Sequence, residues 1–177
     1  MSNLRYLNTT EISAAVNSVN ITDIFTDDYD IYVIQGTGIT MTNSGGDYLF
    51  SKVIDSGGTA LASNYSYASG YISSTGSSMA EERLDGRTEW ESLNYIGAGT
   101  DDYGNITMYI YNPTNASSYT FYTLQGSSFR TPSTIAYMWK SIGSHESATD
   151  ITGIQFSAKT ANMDGGKFTV YGLRVDS

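Results

Sequence analysis

From Ser18 onward, apolar and polar residues alternate with a period of two, the spacing of a strand that buries one face. Val19 and Ile21 share a face in residues 18–24, and the acidic stretch Thr26-Asp27-Asp28 breaks the pattern as a turn. Residues 29–36 are almost continuously β-branched or aromatic, which predicts a central strand covered on both faces. Residues 37–46 read as a flexible loop. Residues 47–54 form the next strand, closed by Asp55-Ser56-Gly57-Gly58, whose glycines supply the positive-φ positions a hairpin turn needs. Residues 64–72 alternate cleanly, with Tyr65, Tyr67, Ser69 and Tyr71 on one face.

The least regular stretch is 79–104, where a short strand is expected near 93–96. Alternation returns over 105–112, Asn112-Pro113-Thr114-Asn115 ends it, and 119–125 is the expected antiparallel partner across that turn. Further strands fall over 134–142, 151–157 and 167–174. No segment carries three turns of helical periodicity, and the spacing of βαβ units is absent. About ten short strands then imply an all-β chain, a jelly-roll-like antiparallel β-sandwich. Residues 18–177 make up that domain. Residues 1–17 read as an N-terminal arm in which Thr10 caps one helical turn ending near Asn17.

Charge narrows the partners. Eighteen acidic against nine basic residues give a net charge of −9, with no Lys/Arg cluster, so a phosphate backbone is repelled and nucleic acid is not an expected partner. An anionic membrane surface is disfavoured for the same reason. The opening residues lack a basic stretch followed by an apolar run, and nowhere do 18 apolar residues follow one another; the expectation is a chain neither exported nor membrane-spanning. The absence of Cys removes disulfides and thiolate chemistry.

Candidate chemistry is sparse. The single His145 lies in the polar run Gly143-Ser144-His145-Glu146-Ser147 and reads as an exposed bystander, with no Gly-x-Ser-x-Gly elbow elsewhere. Glu81-Glu82 and the pair Glu89/Glu91 read as solvated charge, since glycoside cleavage needs two carboxyls facing each other across a groove. The acidic turns around Asp27, Asp28 and Asp30, and at Asp101-Asp102, are the best candidates for a loop Ca²⁺, but they lack the EF-hand pattern and read as turn formers. No catalytic, cofactor or metal site is therefore expected. The one candidate binding surface is aromatic: Tyr65, Tyr67, Tyr71, Trp90 and Tyr103 together could stack on sugar rings or anchor a protein, whereas any one Tyr alone is ordinary amphipathic core filler.

Several segments bear a family likeness. Residues 18–25 read Ser-Val-Asn-Ile-Thr-Asp-Ile-Phe, 28–32 Asp-Tyr-Asp-Ile-Tyr, 64–68 Asn-Tyr-Ser-Tyr-Ala, and 170–175 Val-Tyr-Gly-Leu-Arg-Val. Tyr109-Ile110-Tyr111-Asn112-Pro113 and Ile151-Thr152-Gly153-Ile154-Gln155-Phe156 fit the same pattern. In these the chain resembles small virion structural proteins of tailed bacteriophages, particularly those of marine cyanophages. The resemblance implies a non-enzymatic accessory or decoration component of head or tail, present in many copies or as a homo-oligomer. Its implied partners are other virion proteins, and its place is the virion, assembled in the host cytoplasm. Strand edges, the 79–104 segment and the arm as a tether would make the contacts. The alternative is a carbohydrate-binding module of a tail fibre that recognises a host-surface glycan. Exposed coplanar aromatics beside Asp or Asn would favour the glycan reading; buried Tyr rings and an apolar protein-facing patch would favour the structural one.

Overall fold

A computed structural model describes residues 3–43, 45–76, 78–99, 101–131 and 134–174. Met1 and Ser2 of the expected arm, Ser44 and Ser77 of the expected loops, Thr100, and Val175 to Ser177 lie outside the described residues. Among the described residues, twelve strands follow in chain order: Leu4–Glu11 (β1), Ser18–Ile21 (β2), Ile31–Met41 (β3), Asp47–Asp55 (β4), Tyr65–Ser73 (β5), Ala80–Arg87 (β6), Trp90–Ile96 (β7), Gly104–Tyr111 (β8), Thr120–Arg130 (β9), Ile135–His145 (β10), Ile151–Ala158 (β11) and Met163–Leu173 (β12). No helix occurs among the described residues, so none is long and apolar enough to cross a membrane.

The strands form two antiparallel sheets. One has eight strands in the order β1-β12-β3-β8-β9-β10-β5-β6, and the other has four in the order β2-β11-β4-β7. Alternation decides which side of each strand faces the shared core. In β8, Ile106, Met108 and Ile110 point inward, while Asn105, Thr107 and Tyr109 point out; in β9, Tyr122 and Leu124 point in, while Phe121, Thr123 and Gln125 point out. The small sheet answers with Leu49, Val53, Ile154 and Phe156. Phe156 and Phe168 stack between the layers with ring centroids 4.2 Å apart. Each Leu, Ile or Phe buried in this way contributes about 1.5–3 kcal/mol. The molecule is an all-β, jelly-roll-like antiparallel sandwich, as the period-two pattern predicts.

The central position expected for residues 29–36 is observed. β3 lies between β12 and β8, with Tyr32 and Ile34 in the core. Val33, on the opposite face, is also buried, flanked in register by Tyr109 and Tyr171. The 105–112 and 119–125 hairpin is also observed, as β8 and β9. The Asp55–Gly58 turn forms, with the Gly58 N–H donating to the Asp55 carbonyl, but the returning chain makes only a bridge between Ile54 and Ala60 before it crosses to the other sheet.

Three local expectations are corrected. Residues 4–11 are not an arm: they form β1, paired along β12, and Ile12 beyond it turns into the core. No helical turn follows, because the edge of β12 supplies the hydrogen-bond partners a strand requires. The loop expected over 37–46 is strand as far as Met41; its Gly-Thr-Gly start is a bulge in the pairing with β8, with Gly38 at φ 64°. The 79–104 segment holds two strands, β6 and β7, of which only the second half of β7 is expected from the sequence.

Candidate functional site

The structure disperses the predicted aromatic surface. Tyr65, Tyr67 and Trp90 belong to the core. Trp90 packs against Tyr65 at 5.3 Å and Tyr122 at 4.6 Å, and its Nε1 donates to the Ser144 carbonyl. The Tyr65 hydroxyl donates to the Leu61 carbonyl and accepts from the Val53 N–H. Burial pushes the phenol pKa values of Tyr65, Tyr67 and Tyr122 upward, so these groups stay neutral. A ring enclosed on all sides cannot stack on a ligand, and Tyr65, Tyr67 and Trp90 leave the candidate surface. Tyr71 is half-buried against Trp139, and Tyr103 is 49% exposed on the loop beside Gly38. No platform of coplanar aromatics results.

The outer face of the eight-stranded sheet carries the main concavity, a groove of about 740 Å³ running over β3, β8, β9, β10 and β5. Strand register builds its floor. Gln35 lies opposite Thr107, Thr107 opposite Gln125, Gln125 opposite Lys140, and Lys140 opposite Gly70. A second rank, two residues along, runs from Asn105 through Ser127 and Met138 to Ile72. Gly70 keeps the floor low, since a side chain there would collide with Met79, which lies over it; Gly126 faces the other way and leaves room for Asn94 beneath.

Beneath this floor, Asn94 of β7 holds the two sheets in register. Fully buried, it donates through Nδ2 to the carbonyls of Asn105 and Ser127, and its Oδ1 accepts from the Ser128 hydroxyl. The Asn105 side chain is itself fixed, accepting from the Gly38 N–H at 3.0 Å. None of the groove residues Gln35, Thr107, Gln125 and Lys140 is singled out by sequence reasoning. Each occupies an outward position of an alternating strand, and only the β8–β9 turn brings two of them together within one readable hairpin.

Beyond the Gln125 and Lys140 rank, the same face becomes apolar. Phe121 (43% exposed) and Ile142 (53% exposed) border a shallow depression of about 610 Å³ with Ala68, Leu84 and Tyr111. Its rim charges are engaged: Arg83 with Glu81 at 2.8 Å, and Asp85 with the Ser66 hydroxyl at 2.7 Å.

The titratable candidates do not converge. His145 is not in an exposed loop but in β10, opposite Tyr65 and Thr120, with its ring 4.8 Å from that of Tyr65. Burial holds its pKa below the usual imidazole range. The polar run around it reads as loop, yet Ser144 and Glu146 flank a residue that faces inward. Glu91 pairs with Arg87 at 2.6 Å and Glu89 with Lys52 at 3.8 Å. Asp102 is fully buried as a loop staple, accepting from the Gly99 N–H and from the N–H and hydroxyl of Thr131. Burial alone would raise its pKa, but these donors outweigh it and hold the carboxyl below the usual range. Among the described residues, no three His, Cys, Asp or Glu side chains gather as metal ligands.

No family model matches the chain, and no curated protein matches it in sequence. Among solved structures, a marine PL-14 alginate lyase from Aplysia kurodai is similar at TM-score 0.38 and 8% identity, over 86% of this chain and 72% of that one. The CBM2 module of Lactobacillus casei BL23 phage J-1 evolved Dit is similar at TM-score 0.27 and 11% identity, over 98% and 78%. A human SPRY domain follows at 0.23 and 11%, over 93% and 100%. With TM-scores below 0.5, none of these likenesses enters the functional reading.

Proposed function

We propose that the chain is a non-enzymatic structural module of a tailed-phage virion, an accessory or decoration component of head or tail. It docks on a neighbouring virion protein through the apolar half of its large sheet, around Phe121 and Ile142. The observation that carries this reading is the division of the hydrophobic side chains. Tyr65, Tyr67 and Trp90, three of the five aromatic residues that could have formed a stacking platform, lie inside, while Phe121 and Ile142 stand in the open on β9 and β10. Apolar side chains presented on strands rather than loops need no backbone ordering on contact, so less of their burial is offset by lost chain entropy. The sequence resemblance of residues 18–25, 28–32, 64–68 and 170–175 supplies the virion context.

The test is incorporation into particles. With Ile142→Asp introduced into the phage, quantitative mass spectrometry of purified virions should show the protein reduced at least about tenfold, the effect of desolvating a charge in an apolar contact. Unchanged copy number in the variant virions would overturn the docking surface. Sedimentation of the isolated chain checks the accompanying expectation of a homo-oligomer.

A further inference from the structure

We infer that the groove on the outer face of the large sheet binds a linear anionic glycan, a polyhydroxylated chain that carries carboxylate or sulfate groups. The inference goes beyond docking through the apolar half and rests on different residues. Adjacent strands lie about 4.8 Å apart, so the rank from Gln35 to Lys140 spans about 14 Å across β3, β8, β9 and β10. Along it stand two amides, a hydroxyl and an ammonium group. A neutral amide both donates and accepts, which matches neighbouring sugar hydroxyls that do the same. The side chains of Gln35, Thr107, Gln125 and Lys140 have no hydrogen-bond or ion-pair partner among the described residues. Their bonding capacity faces the groove.

Charge selects the class of glycan. Although the chain carries twice as many acidic as basic residues, among the described residues no Asp or Glu lines the groove, and Lys140 is the one charged side chain that does. Glu81, the next residue in rank beyond Gly70, is paired with Arg83 and does not neutralise it. Met138, Ile72 and Met79 line the β10–β5 side and offer apolar contact to the C–H face of a sugar ring. A nucleic acid fits poorly, because one cation on a chain of net charge −9 cannot offset a row of phosphates. An apolar protein segment would leave the amides and Lys140 buried without partners.

The test is an NMR titration of the ¹⁵N-labelled protein, following the side-chain NH₂ signals of Gln35, Asn105 and Gln125. The probes are tetragalacturonate, a sulfated galactan oligosaccharide and neutral maltotetraose. At least one acidic oligosaccharide is expected to shift these signals, and which one does so identifies the acid group. Lys140→Gln should weaken that binding by about tenfold or more, and added salt should weaken it in the wild type. Ile142→Ser, on the apolar half, should leave the titration unchanged. Silence with both acidic probes, equal binding of maltotetraose, equal affinity in Lys140→Gln, or loss in Ile142→Ser would each overturn the inference. The particle-incorporation assay is unaffected by any of these results, so the two readings fail separately.

Discussion

Trp90 of the small sheet donates its indole N–H to the carbonyl of Ser144 in the large sheet at 3.0 Å, tying the layers together at the point where Tyr65 and Tyr122 also meet the ring. Replacing Trp90 with Phe keeps an aromatic body but removes the donor and part of the volume. The expected cost is about 1–3 kcal/mol, from a buried acceptor stripped of its partner and a small cavity. Urea unfolding followed by far-UV circular dichroism measures it, and a change within about 0.5 kcal/mol would show that the tie is dispensable.

His145, buried beside Tyr65, makes stability depend on pH. Its folded pKa is depressed by burial, so the unfolded chain binds the proton more readily than the folded one. The contribution is therefore complete above the unfolded value of about 6.5 and is lost as pH falls through that value toward the lower folded one. Denaturation midpoints should hold between pH 8 and 7 and drop between pH 6.5 and 5.5, and His145→Phe should flatten the drop in that window.

Asp102 joins residues 99, 102 and 131 through one carboxylate. Asp102→Asn places an NH₂ group where only acceptors are wanted, and should cost about 2 kcal/mol through lost charge-assisted bonds. Because the folded pKa is depressed, the wild-type contribution stands above about pH 3.9 and fades as pH falls through the folded value. Thermal melts of wild type and variant should then converge in acid and separate at neutral pH.

The strands were legible where one face is dry and the other wet. β8 and β9 alternate residue by residue and share a readable turn, so their pairing followed directly from the sequence. β6 was not legible: Ala-Glu-Glu-Arg-Leu-Asp-Gly-Arg is an edge strand with no fully buried residue, so no apolar face marks it. The Tyr65, Tyr67 and Tyr71 periodicity was correct, but Tyr suits either side of a sheet. Only the small residues between them, Ser66, Ala68 and Gly70, hinted that the rings point inward. The groove lay beyond reach for another reason. Gln35, Thr107, Gln125 and Lys140 come from four strands, and their alignment depends on long-range register that no local pattern encodes.

The two margins of the large sheet are unlike. The β6 margin presents Glu81, Arg83 and Asp85 outward, whereas the β1 margin exposes Leu4 and Tyr6. Charged side chains along a free strand deter a neighbour's backbone from zipping onto it. One margin of every molecule thus meets its neighbours with hydrated charge, which disfavours an endless ribbon, since such a ribbon needs both margins to propagate.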